Sequence, residues 1–182
     1  MPVVPIETLI SKKVYVWDAG VRLFHWSLVT MFASAYLFAE YRSAHRILGY
    51  FVAGLIAFRL IWGLVGTRHA RFKDFVPGPL KLLGYLKDMA KGREARSLGH
   101  NPAGGAMIIA LLAVISGIAA TGYMIGMDAY FGVEWVERLH RTLVNLALIL
   151  IAFHLGGVIF SSIRHRENLV KAIITGEKRL EK

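Results

Sequence analysis

Residues 142–163 read TLVNLALILIAFHLGGVIFSSI, and the one ionisable side chain among them is His154. The hydrocarbon core of a bilayer is about 30 Å thick and takes roughly 20 helical residues to cross. A run of this length and apolarity is therefore expected to span a membrane. Three other runs have the same character. They cover residues 21–39, 47–65 (interrupted by Arg59) and 102–127, the last without a charge. None shows the period-2 alternation of barrel strands, so helices remain as the structures that can satisfy a backbone in lipid. The expected fold is an all-α integral membrane bundle of four helices in a single domain, residues 1–182.

Composition agrees with that reading. The 182-residue chain is 55% hydrophobic yet 19% charged, so the apolar residues have to be gathered into blocks. It contains no cysteine, which excludes disulfides, iron–sulfur clusters, thiolate zinc sites and covalently attached haem. The first twenty residues hold Pro2, Pro5, Glu7, Lys12, Lys13 and Asp18 and no apolar core. A cleaved signal peptide is not expected there, and the first span should direct its own insertion.

The net charge of +10 suggests nucleic acid until its placement is considered. Arg68, Arg71, Lys73, Lys81, Lys87, Lys91, Arg93 and Arg96 lie between the second and third spans. Arg164, Arg166, Lys171, Lys178, Arg179 and Lys182 follow the fourth. The two other connections carry Arg42, Arg46, Arg138 and Arg141 beside Glu40, Asp128, Glu134 and Glu137. The positive-inside rule then puts both termini and the long loop in the cytoplasm, and nucleic acid is not an expected partner. A tight outer turn at 41–44 should join the first hairpin, and residues 128–138 the second. Within the inner loop, Pro77-Gly78-Pro79 breaks the chain. Leu80, Leu83, Leu86 and Ala90 then share one helical face. This short helix either lies on the inner leaflet against anionic lipid or is a solvated connector.

Ionisable groups inside a membrane are costly and point to function. His154 taken alone could be a core histidine bonded to a neighbouring helix. His140 lies 14 residues earlier, within about 40° of a whole number of turns, so both rings project from one face about 21 Å apart. Ala147 lies midway on that face, and a small residue there leaves room for a bulky group. The alternating direction of the spans puts His25 at the depth of His154, and His45 at the depth of His140. Two imidazole pairs at two depths suit two six-coordinate haem irons, each held between the fourth span and the first hairpin. Zinc would want three or four convergent ligands, and a di-iron carboxylate bundle would want Glu-x-x-His motifs; neither pattern is present.

Small residues that would admit a flat macrocycle include Gly49, Ala53, Gly54, Gly117, Gly122, Gly156 and Gly157, although each also serves ordinary helix packing. Arg59, 14 residues after His45, shares its face at the inner depth. It is expected to pair with a haem propionate, the alternative being snorkelling to the headgroups. Arg22 on the first span is taken as a second cofactor-binding cation. His69, His100 and His165 read as surface side chains of cytoplasmic segments.

The stretches VYVWDAGVRLFHW, HRILGYFVAGLIAFRLIWGLVG and LGHNPAGG, with His140 and His154, resemble the bacterial cytochrome b561 and nickel-hydrogenase b-type cytochrome family over nearly the whole chain. The resemblance implies a four-helix diheme cytochrome of the cytoplasmic membrane, with two haem b per chain. Its metal ligands fall on His25, His45, His140 and His154. It also implies electron exchange between quinone or quinol and a redox partner such as a periplasmic c-type cytochrome. Two other readings stand beside it. One is an enzyme in its own right, such as a quinone-coupled superoxide oxidase. The other is a membrane anchor, either as the b-type subunit of a larger oxidoreductase or as a non-redox carrier. The connection of 20 residues from His25 to His45 is shorter than in some members of the family.

Overall fold

The computed structural model describes residues 13–180. Residues 1–12, on which most of the signal-peptide reading rests, lie outside the described residues, as does Lys182 of the basic tail.

The chain enters through strand β1 (Lys13–Tyr15) and turns at once into helix α1 (Ala19–Leu37). Asp18 caps α1 by accepting the Val21 N–H at 2.9 Å. The same carboxylate accepts from Trp62 Nε1 at 3.2 Å and from Thr67 Oγ1 at 2.5 Å. The cap therefore also ties the start of α1 to the end of α2 (Arg42–Val65), and the two pack as an antiparallel hairpin. Short helix α3 (Phe72–Phe75) follows, then α4 (Pro79–Ala90), the amphipathic helix expected after Pro77-Gly78-Pro79. Pro79 suits the first turn because its fixed φ is already helical and its missing N–H would have had no partner. No residue of α4 is buried, and Leu80 and Leu83 face outward.

Helix α5 (Pro102–Ile125) starts on an Asn101 cap that accepts the Gly104 N–H at 2.7 Å. A 3₁₀ turn (Asp128–Tyr130) leads to α6 (Glu134–Arg164), and α7 (Leu169–Thr175) and strand β2 (Glu177–Arg179) complete the described chain.

Several boundaries differ from the sequence reading. α6 begins at Glu134, eight residues before 142, so Glu134, Glu137, Arg138 and Arg141 are helical and not in a loop. Acidic residues in a first turn complement the helix dipole, and Glu134–Arg138 and Glu137–Arg141 pair at i,i+4. At about 1.5 Å per residue, its 31 residues reach well past the hydrocarbon core. The first turn occupies 38–41, just before the expected 41–44, and α5 ends at Ile125. By length and composition α2, α5 and α6 can each cross a membrane. α1 is less apolar, carrying Arg22, His25, Ser27, Thr30 and Ser34.

Packing runs in series: α1 on α2, α2 on α5, and α5 on α6, whereas α6 makes at most slight contact with α1 and α2. The interior holds Phe24, Val52, Ile56, Leu112 and Ile115 from α1, α2 and α5. Elsewhere large apolar side chains point outward, with Leu37, Leu64 and Ile163 each more than two-thirds exposed. An outer surface of this kind is stable against hydrocarbon and not against water.

β1 and β2 form an antiparallel pair, Val14 opposite Lys178, and the Gly176 carbonyl accepts from the Val16 and Trp17 N–H groups at 2.8 and 3.1 Å. Gly176 has φ of 85°, and a Cβ there would strike the Tyr15 ring and the Trp17 carbonyl. Both ends of the described chain thus meet at one end of the bundle, called here the sheet end. A second core of Val16, Trp17, Val21, Ala70 and Ala172 fills it. Buried Glu167 lies 2.9 Å from Arg96 and 3.3 Å from Lys178.

Candidate functional site

α6 makes at most slight contact with the first hairpin, and the four span histidines are carried by these three helices: His25 on α1, His45 on α2, His140 and His154 on α6. His45 stands one turn into α2 and His140 two turns into α6, both at the end away from the sheet. Their ring centroids are 6.2 Å apart and the ring planes cross at 80°. Two imidazoles on opposite sides of one metal ion, with bonds of about 2 Å and ring radii of about 1.1 Å, have centroids roughly 6 Å apart. The observed spacing fits one iron between them.

The other ring nitrogen of each is already engaged. His45 Nδ1 is 2.8 Å from the Ala35 carbonyl, which can only accept, so Nδ1 carries the proton and Nε2 keeps its lone pair. His140 Nδ1 is 2.9 Å from Thr121 Oγ1. Such outer contacts fix the orientation of a metal-binding ring.

At the sheet end, His25 of α1 and His154 of α6 are close enough for the charge of one to act on the other. His25 lies edge-on to Trp26 at 5.1 Å, and its Nδ1 is buried without a hydrogen bond. Among the described residues, no three or more His, Asp or Glu side chains converge on a point that could hold a metal ion. The donors come as histidine pairs, a set that suits a haem iron, whose ring supplies the remaining four nitrogens.

Arg59 is 3% exposed. Its guanidinium lies 4.9 Å from the Phe72 ring, 5.7 Å from Phe75 and 6.0 Å from Phe24. These rings cover it, and it does not reach out to a surface as snorkelling would require. Nη1 is buried with no hydrogen-bond partner, a cation placed to receive an anionic group. Arg22, the second cation singled out in the sequence, gives Nη1–H to the Ile174 carbonyl at 2.7 Å and lies over the Tyr15 ring, while its Nε is buried with no hydrogen-bond partner. It joins α1 to α7.

The small residues divide. A Cβ at Gly49, Gly54, Gly156 or Gly157 would meet nothing, so these four leave open space. Gly117 and Gly122 are taken up by helix packing: added Cβ atoms would stand 3.0 Å from Leu143 and 3.2 Å from the His140 ring. Ala147 does not provide the expected room. It is wholly covered by protein, and its small size serves close packing.

Of the three histidines read as surface side chains, His100 needs correction. His100 is half-buried between Trp17 and Phe75, at ring-centroid distances of 4.5 and 4.6 Å, and its Nδ1 is buried without a partner. Burial, reinforced by the positive charges of Arg59 and Lys178, pulls its pKa down to about 3. His69 and His165 are half-buried too. The Thr121 contact to His140 was not anticipated. A threonine in an apolar span commonly bonds its own helix backbone, so nothing in the sequence separates this one from that use.

Histidines of α2 and α6 facing one another at the spacing of one metal ion, in a bundle whose outer surface is apolar, are what a membrane cytochrome of the b type requires. The chain belongs to the prokaryotic cytochrome b561 family, whose model matches residues 16–176. Two relatives are named "Probable Ni/Fe-hydrogenase B-type cytochrome subunit". The one from Bradyrhizobium diazoefficiens is 24% identical, with 91% of this chain and 85% of the relative covered. The one from Rhizobium leguminosarum bv. viciae is also 24% identical, with 92% and 89% covered. No solved structure matches the chain.

Proposed function

We propose that this chain is a diheme cytochrome that carries electrons across the cytoplasmic membrane, between the quinone pool and a redox enzyme or carrier on the outer side. One haem would lie between His45 and His140, the other between His25 and His154. The observation that carries the reading is the 6.2 Å separation of the rings of His45 on α2 and His140 on α6. Haem supplies one-electron chemistry when bound. The protein's part is to present Nε2 lone pairs at two depths about 21 Å apart and to exclude water between them. Arg59 would meet a propionate of the inner haem, where its buried, unbonded Nη1 gains an anionic partner.

The pairing of β1 with β2 supports four crossings. Both ends of the described chain lie on one side, as an even number of spans would leave them, and this favours α1 as a fourth crossing beside α2, α5 and α6. The basic residues of the long loop and the tail put that side in the cytoplasm. Reporter fusions after Lys182 and within 92–98 should both read cytoplasmic, and a periplasmic signal from either one inverts the assignment.

The names of the two relatives favour service as the membrane subunit of a larger oxidoreductase over a stand-alone superoxide oxidase. The deciding experiment is a reduced-minus-oxidised spectrum of the purified chain, with acid-extracted haem counted per polypeptide. Two extractable low-spin haems are expected. One haem at full loading, or none, refutes the proposal. Prompt haem reduction by superoxide with no partner protein would favour the enzyme reading.

A further inference from the structure

We infer that Thr121 is a positioning residue: its hydroxyl accepts the Nδ1 proton of His140, fixing that imidazole as an Nε2 iron ligand and lowering the potential of the outer haem. The inference rests on the diheme reading above, and it concerns α5, the one long helix to which that reading assigns no ligand.

The argument is a count of protons. Thr121 is 4% exposed, so its hydroxyl has no water to turn to. Oγ1 lies 2.7 Å from the Gly117 carbonyl and 3.1 Å from that of Ile118, and both of these can only accept. The single hydroxyl proton is therefore committed to the helix's own backbone, one turn back. Toward His140 Nδ1, at 2.9 Å, only an oxygen lone pair remains. Nδ1 must then hold the proton, and the neutral ring offers its lone pair at Nε2.

The adjacent residue fixes the ring in space. A Cβ at Gly122 would stand 3.2 Å from His140 Cε1, so the imidazole lies directly against the α5 backbone. Thr121 offers Nδ1 an acceptor beside the Ile118 carbonyl, and Gly122 lets the ring approach closely enough for it to do so. Ala35 of α1 plays the same part for His45 through its carbonyl, which no side-chain substitution removes. His25 Nδ1, by contrast, has no hydrogen bond. An imidazole that donates from Nδ1 is a stronger donor at Nε2 and favours the oxidised metal. The outer site is therefore biased toward ferric iron by two such bonds.

The test compares Thr121→Val, which keeps the shape and loses the oxygen, with Thr121→Ser, which keeps the oxygen. Haem is counted first in the unaltered protein: its absence would refute the diheme reading and this inference with it, whereas with haem present the Thr121 variants test this inference alone. The outer haem is the component lost in His45→Ala and His140→Ala. Each variant is then titrated potentiometrically and its low-spin electron paramagnetic resonance spectrum is recorded. In Thr121→Val the ferrous-to-ferric ratio of the outer haem at a given potential should rise about tenfold, an upward shift of about 59 mV for a one-electron couple. The inner haem should stay in place. Thr121→Ser should return the outer haem to the unaltered value. If Thr121→Val instead loses the outer haem, retention in Thr121→Ser supports the assignment. An unmoved outer potential and spectrum in Thr121→Val, or a serine variant that behaves like valine, overturns it.

Discussion

Removing one histidine at a time gives the most direct test of the haem arrangement, because α-helical geometry forbids the alternative pairings. His140 and His154 are 14 residues apart on an unbroken helix, about 21 Å along its axis. The rings of His45 and His140 are 6.2 Å apart, about the span of one iron with its two axial ligands. No single haem can therefore use both histidines of α6, and His25 with His45 is barred in the same way by the length of α1. His45→Ala and His140→Ala should each remove about half of the low-spin signal, and the same half. The double variant should lose no more than either single one, because both substitutions act on one iron. His25→Ala and His154→Ala should remove the other half. The assay is a potentiometric titration of each variant followed through the haem α-band, with haem counted per chain. A five-coordinate, high-spin residual at the affected site is compatible with the arrangement. The reasoning is refuted if His45→Ala and His140→Ala perturb different haems, or if any one of the four leaves both intact.

Arg59→Leu, which removes a buried cation whose Nη1 has no protein partner, should raise neither haem's retention and should shift the potential of the haem assigned to His25 and His154 alone. Unchanged potentials and occupancy there would show that Arg59 serves only packing against Phe24, Phe72 and Phe75. Glu167→Gln should destabilise the sheet end by roughly 3–5 kcal/mol, since it leaves buried Lys178 without its carboxylate. Faster proteolysis or hydrogen exchange around 176–180 would register this, and an unaltered rate would contradict it. His100 binds its proton far less readily when folded than when unfolded, so the unfolded state holds more protons between about pH 6.5 and about 3. Its contribution to stability is complete above that window and declines as pH falls through it. Detergent-solubilised protein should melt at lower temperature on acidification, and His100→Phe should flatten that dependence; a variant with the same slope would assign the effect elsewhere.

Much of the architecture is legible one residue at a time. A run such as 102–127 has no charge and no alternation, and in hydrocarbon the backbone has no partner other than itself, so the helix follows from composition alone. Histidine depth follows from span direction, which is why His45 could be set beside His140 from the sequence, as the ring contact between them agrees. The start of α6 at Glu134 was harder to see. Its first turns are charged, and only the i,i+4 pairs and the helix dipole reveal that they are helical.

What tertiary structure alone decided depends on groups distant in the chain. β1 and β2 are three residues each, too short to leave a periodic signal, and they exist because α7 brings residue 177 back to Tyr15. Arg22 and Arg59 look alike in sequence, yet one binds the Ile174 carbonyl and the other lies beneath three aromatic rings. Thr121 and Ala35 meet their histidines across helix interfaces whose rotation no periodicity specifies. Lipid is as apolar as the helices it surrounds, so hydrophobic pattern sets which segments cross and at what depth, while close packing and individual polar contacts set which faces meet.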